Sequence, residues 1–233
     1  ATEVYALGSG AGTSHTAFGK DCGVDLSTGT GNSLFGEGAG ADLTTGEHNV
    51  AVGYHALYQG TTESDDNVAI GYNAMSGGFT TATVNDNVAI GSGSMAGVLT
   101  DSADANTVVG TAAAASITKG AKHTAIGYQS LATEDIGDRS TAIGYQSLYG
   151  QNSDSDNEET GNTAIGYKSG YSNVTGQNNT YMGYSAGQGI STKSHSDCVF
   201  VGSNAGSTAY TGDNNIAIGS GAMNDIDADA TVG

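Results

Sequence analysis

Apolar and polar positions recur along this chain with a short, almost regular period. Fourteen times an apolar residue is followed by glycine, most often within Asn-(Val/Thr)-Ala-Ile-Gly. The glycines are Gly8, Gly19, Gly36, Gly53, Gly71, Gly91, Gly110, Gly127, Gly144, Gly166, Gly183, Gly202, Gly219 and Gly233. Most are 17 to 20 residues apart, with outliers of 11, 14 and 22. A period this short predicts one structural rung per copy, and hence a solenoid. Before each glycine, Val, Thr or Ile alternates with a small residue, as in Val68-Ala69-Ile70 and Thr141-Ala142-Ile143. That period-2 pattern predicts a short strand, and bulky branched side chains are expected to face the core. A second short run after the glycine is expected to be another strand, with the glycine as a sharp bend between them. The remainder of each copy is rich in Gly, Asn, Ser, Thr and Asp and varies in length, as loops do.

Stacking such copies places equivalent residues in columns about 4.8 Å apart. The residue four before the glycine is Asn in Asn32, Asn49, Asn67, Asn87, Asn106, Asn162, Asn179 and Asn215. These are expected to form an amide ladder, with His15 and His123 as tolerated variants. The third residue after the glycine is always Ala, Ser or Cys, for example Cys22, Ala56, Ser94 and Ser147. The fold expected is therefore all-β, a parallel β-solenoid of about 14 short rungs in one continuous domain, 1–233. The rod would be on the order of 60 Å long.

Its core would be thin. The chain has no Trp, 4 Phe and 38 Gly, and 37% of residues are hydrophobic. Such a core offsets poorly the roughly 1–2 kcal/mol per residue that backbone ordering costs. A homo-oligomer is the expected remedy, a homotrimeric rod in which the small-residue column lets chains approach. Stretches such as Asn49-Val50-Ala51-Val52-Gly53 and Asn162-Thr163-Ala164-Ile165-Gly166 resemble the head repeats of YadA-type trimeric autotransporter adhesins. Thr124–Leu131 and Thr141–Leu148, both Thr-Ala-Ile-Gly-Tyr-Gln-Ser-Leu, are similar to repeats of phage tail fibres. The resemblance spans nearly the whole chain. It implies a left-handed β-roll that trimerises, in a non-enzymatic attachment fibre on a virion or cell surface, outside the cell. The Asn sits mostly four residues before the glycine, and the copies are longer than the adhesin's; both favour the phage type. The chain then reads as a segment of a longer fibre.

Charge and chemistry narrow this little further. The net charge of −18, from 24 acids and 6 bases, disfavours nucleic acid and anionic membranes as partners. No run is apolar enough to insert in a membrane. The expected partners are the chain itself and a host surface glycan or protein receptor. Two cysteines, Cys22 and Cys198, lie ten rungs apart, too far for a disulfide in a rod. No catalytic constellation and no organic cofactor are expected. Ser194-His195-Ser196-Asp197 is read as a polar loop, since neighbours on an extended chain point apart. Gly12–Lys20 lacks the spacing of a phosphate loop. Calcium is the one metal considered, on Asp154, Asp156 and Glu158 and on Asp225, Asp227 and Asp229, which alternate along their segments. Neither set completes a calcium-loop pattern.

The first residue after the glycine is Tyr in Tyr54, Tyr72, Tyr128, Tyr145, Tyr167 and Tyr184. That ladder is either structural or glycan-facing. Two alternatives to the fibre remain: a polysaccharide-degrading solenoid spike, which needs paired carboxylates in a groove, and an ice binder. The Thr column (Thr107, Thr124, Thr141, Thr163, Thr180) suggests the latter, but the branched column is expected to face inward.

Overall fold

A computed structural model describes residues 14–59, 64–78, 83–100, 103–155, 158–189, 194–208 and 212–224. Twelve three-residue strands precede twelve of the repeated glycines. They are β1 (Thr16–Phe18), β2 (Ser33–Phe35), β3 (Val50–Val52), β4 (Val68–Ile70), β5 (Val88–Ile90), β6 (Thr107–Val109), β7 (Thr124–Ile126), β8 (Thr141–Ile143), β9 (Thr163–Ile165), β10 (Thr180–Met182), β11 (Val199–Val201) and β12 (Ile216–Ile218). They form one parallel sheet in strictly sequential order. The pairing is in register with the repeat, so that Val68 meets Val88 and Thr124 meets Thr141. The chain is thus a parallel β-solenoid of about 11 turns rather than 14. The copies at Gly8 and Gly233 lie outside the described residues.

The glycine is a bend, as its recurrence implies. At Gly144 φ is +132°, and a Cβ would stand 2.4 Å from the carbonyl oxygen of Gly166 in the next rung. No side chain fits there. The segment after the glycine is a turn, however, and no strand forms there among the described residues. The residues two and four past the glycine take left-handed φ in rung after rung, as in Gln129 and Leu131 or Gln146 and Leu148. Backbone N–H groups still bond rung to rung: Leu131 N–H donates to Ser147 O, and Leu148 N–H to Ser169 O. The ladder therefore continues without extended chain, which satisfies backbone groups that burial would otherwise leave unpaired.

The orientation of the strands reverses the expectation. The middle residue of every strand is buried, and its branched neighbours face outward, half-buried or exposed. Ala51, Ala69, Ala89, Ala125, Ala142 and Ala164 are each 0% exposed, whereas Ile126 is 37% and Ile218 70% exposed. The coil is too narrow to take two branched side chains from one strand. Its bulk comes instead from the residue four past the glycine: Leu57, Met75, Met95, Leu131 and Leu148 are all fully buried. Where that position is glycine, the strand centre grows in three rungs. Leu34 goes with Gly40, Tyr181 with Gly187 and Phe200 with Gly206. A Cβ on Gly187 would lie 2.2 Å from the Tyr181 ring. In the rungs of Gly23 and Gly170, whose strand centres are Ala17 and Ala164, side chains of adjoining rungs (Leu34, and Tyr181 with Leu148) take the space. Bulk is thus exchanged within a rung or between adjoining rungs, as close packing requires.

The small-residue column is also corrected. Ala56, Ala74, Ser94, Ala113, Ser130, Ser147 and Ser169 are buried inside the coil and form no outer surface. Their smallness reflects the space within one chain, and Ser94, Ser130, Ser147 and Ser169 each donate to the preceding glycine carbonyl.

The amide ladder forms as expected. Asn67 Oδ1 accepts from the backbone N–H of Asn87 at 3.1 Å, and Asn67 Nδ2 donates to Val84 O at 2.7 Å. His123 does the same work with a ring. Its Nδ1 accepts from Ser140 N–H at 3.1 Å and its Nε2 lies 2.6 Å from Gly137 O. A carbonyl only accepts, so Nε2 carries the proton and the ring is neutral. Cys198, in the same column, accepts from Asn215 N–H at 3.4 Å through Sγ. It and Cys22 are buried free thiols, and burial raises the pKa of both.

Candidate functional site

The outward face of the sheet and the turn beside it hold the features that bear on function. Three columns run down this side. The first residue of each strand supplies Ser, Thr, Val or Ile, the third supplies Phe, Val, Ile or Met, and the residue after the glycine supplies the tyrosines. The first two are apolar or methyl-bearing in nearly every strand from β1 to β12, Ser33 being the exception. Phe18, Phe35, Ile126 and Met182 are 37–44% exposed. Monomeric soluble proteins rarely expose an apolar sheet face of this length.

The tyrosines form the predicted ladder in two sections. Tyr54 and Tyr72 stack at 5.4 Å; Tyr128, Tyr145, Tyr167 and Tyr184 form a continuous stack at 5.0–5.3 Å with interplanar angles of 5–12°. Ser92 and Thr111 interrupt the column between the sections. Ring faces along the stack meet one another, which favours a structural contribution from the ladder itself.

Sequence reasoning missed a second aromatic column. Tyr149 and Tyr171, five past their glycines, stack at 5.0 Å. Between the two tyrosine columns run Gln129, Gln146 and Lys168, two past theirs. Gln146 Nε2 donates to Gln129 Oε1 at 2.8 Å. The Lys168 ammonium lies 5.6 Å from the Tyr167 ring centre and 5.1 Å from that of Tyr171. His55 occupies the same place in the rung of β3, sandwiched by Tyr54 and Tyr58 at 3.9 and 4.0 Å. The recurrent Tyr-x-x-x-Tyr of 54–58, 145–149 and 167–171 carried that signal.

Of the metal candidates, Asp154 and Glu158 lie within the described residues. Asp154 is exposed, and its N–H donates to Glu158 Oε2 at 3.1 Å, while the Gln177 amide donates to the other Glu158 oxygen. Asp156, Asp225, Asp227 and Asp229 lie outside the described residues. Among the described residues no three His, Cys, Asp or Glu side chains gather as a metal site.

Ser194–Asp197 is a loop, as expected, but His195 turns its ring into the coil. The ring is buried against Tyr181 at 5.5 Å and Phe200 at 5.3 Å, with neither ring nitrogen bonded among the described residues, while Asp197 is exposed. Burial depresses its pKa to about 4, against a small opposing pull from Asp213. Ser194 Oγ accepts from the N–H groups of Val174 and Thr175. The adjacent Ser, His and Asp therefore do not converge. Among the described residues no helix is long and apolar enough to cross a membrane. The chain has no match among protein-family models, curated proteins or solved structures.

Proposed function

We propose that this chain is a rod-forming segment of an attachment fibre, non-enzymatic and carried outside the cell on a virion or cell surface. Three copies would pack their outer sheet faces together around a common axis. The observation that carries this reading is the long apolar face from β1 to β12, which needs a cover along its whole length. A cover that repeats every rung is most simply supplied by another copy of the same rungs. The resemblance of Asn-(Val/Thr)-Ala-Ile-Gly and Thr-Ala-Ile-Gly-Tyr-Gln-Ser-Leu to adhesin heads and phage fibres agrees with it, the phage type being preferred. So does the stiffness that a one-residue-per-column ladder gives to a rod. Retention of the labelled protein on bacterial cells or isolated envelopes, above that of an unrelated acidic protein, is the expected result. No retention on any surface offered would remove the attachment function.

One observation favours a second reading. Thr107, Thr124, Thr141, Thr163 and Thr180 face outward on five consecutive strands, beside Val109, Ile126, Ile143, Ile165 and Met182. A flat array of methyls and hydroxyls suits an ice surface, provided that the face stays bare. Thermal hysteresis in a freezing assay would support this use of the face, and its absence would remove it.

A further inference from the structure

The strip between the two tyrosine columns has the chemistry of a binding groove laid along the rod. Its sides are Tyr128, Tyr145, Tyr167 and Tyr184 on one hand and Tyr149 and Tyr171 on the other. Between them lie the amide pair Gln129–Gln146 and the Lys168 ammonium. The tyrosines of the longer column are 40–56% exposed. Lys168 is unusual in a chain with 24 acids and 6 bases: it enters no ion pair among the described residues and is held over two aromatic rings instead. An ammonium held that way has donors left to offer an anion.

Resting on the attachment reading, we infer that this strip binds an extended acidic polysaccharide, with a sugar carboxylate on Lys168. The stack repeats every 5.0–5.3 Å, and an extended β-linked pyranose chain advances by close to one rung per sugar. Sugars therefore advance in step with the rungs. Every second sugar presents the same edge to the strip, because neighbouring residues of such a chain face opposite ways. The ring edges and phenol groups contact the sugar C–H and hydroxyl groups, and the Gln amides donate to ring and hydroxyl oxygens. Lys168 supplies the selection by charge, on a rod whose net −18 otherwise repels anions. Three chains would offer three parallel strips and raise a weak single contact by avidity.

The test is binding of the whole chain to immobilised β-(1→4)-linked polyglucuronate and to its neutral counterpart, a β-(1→4)-linked glucan. The wild type is expected to bind polyglucuronate at least tenfold more tightly, with the preference shrinking as salt rises. Lys168→Gln is expected to lose that preference and to keep its fold, since Gln129 and Gln146 already fill equivalent positions. Tyr149→Ala with Tyr171→Ala is expected to weaken both ligands, and Ala132 shows that the position accepts alanine. Equal binding of the two polymers, no binding to either, or an unaffected Lys168→Gln variant overturns the inference. If the wild type and Lys168→Gln adhere equally to cells, this inference fails and the attachment reading stands; if the wild type adheres to nothing, the attachment reading itself fails.

Discussion

The rungs of β3–β6 and those of β7–β11 present nearly the same outer strand sequence but differ inside. The first set is lined with Ala51, Ala69 and Ala89 at the strand centres, with Leu57, Met75, Met95, Leu99 and Ile117 as bulk. Its buried polar side chains are neutral: Asn49, Ser64, Asn67, Asn87, Ser94 and Asn106. The second set buries His123, Glu134, Gln151, Thr160, Asn173 and His195, and then an aromatic pair, Tyr181 and Phe200. Glu134 is matched by its surroundings: Oε1 accepts from the N–H groups of Asp135, Gly137 and Ser153, and Oε2 from Ser153 Oγ. The match is incomplete elsewhere. Among the described residues, Gln151 Nε2, Tyr181 Oη and both His195 nitrogens have no partner, where the first set leaves Ser64 Oγ and Asn73 Oδ1. The difference teaches that adjoining rungs together fix volume and backbone pairing, and that polarity inside is tolerated as long as most atoms find the ladder.

The comparison breaks hardest at rung volume. Tyr181→Ala should cost about 3–5 kcal/mol through the cavity it leaves. Gly187→Leu alone should also destabilise, because its Cβ would collide with the Tyr181 ring. The double change converts this rung to the Ala–Leu type of the Ala51–Leu57 and Ala142–Leu148 rungs, and should recover most of the loss. Leu57 and Leu148 already take a φ near that of Gly187, so the backbone accepts leucine there. Denaturant unfolding of the three variants checks this; additive losses would refute the volume rule.

Next in size is the amide ladder. Asn67→Ala strands the Val84 carbonyl and the Asn87 N–H inside the coil. The expected cost is about 2–4 kcal/mol. Asn67→His should cost much less, since His123 fills the same place with both nitrogens bonded. Equal losses from the two variants, again by denaturant, would mean that the histidine does not mimic the amide.

Acid should separate the two sets of rungs. The pKa of His195 is about 4 when folded, against an ordinary value of 6.5. The unfolded chain therefore binds the proton first. Stability is full above about pH 6.5 and is lost progressively as pH falls toward 4, by roughly 2–3 kcal/mol. His123 shifts in the same direction, chiefly through burial. Hydrogen exchange at pH 4.5 should show faster opening around β10 and β11 than around β4 and β5, and His195→Leu should remove most of that difference. Uniform protection at both pH values would contradict it.

Much of the fold was legible in the sequence because the columns are chemically strict. The stacking, the glycine bend and the amide ladder with His123 in it come from one residue type at one position. The direction of the strand was not legible from Val-Ala-Ile alone, since alternation defines two faces without saying which is inside. Branched residues ordinarily fill cores, and here they do not. The corrective signal lies further on, in the exchange of bulk between Leu34, Tyr181 or Phe200 and Gly40, Gly187 or Gly206. The turn after the glycine resembles a strand in sequence because its left-handed residues include Leu57, Met75 and Met95, side chains that seldom take such φ values. The tyrosine ladder was visible, but Tyr149, Tyr171 and Lys168 were not, because their positions are aromatic or charged in few copies.

We propose that the apolar outer face meets further copies of the same chain, and the proposed fibre rests on that contact. Sedimentation equilibrium of the wild type beside Ile143→Asp tests it most directly, with circular dichroism confirming that the variant keeps its sheet. Three chains per particle are expected for the wild type, and a smaller folded particle for Ile143→Asp, because a charge at the centre of that face opposes its burial. A wild type that sediments as one chain, or a variant that keeps the wild-type mass, would contradict it.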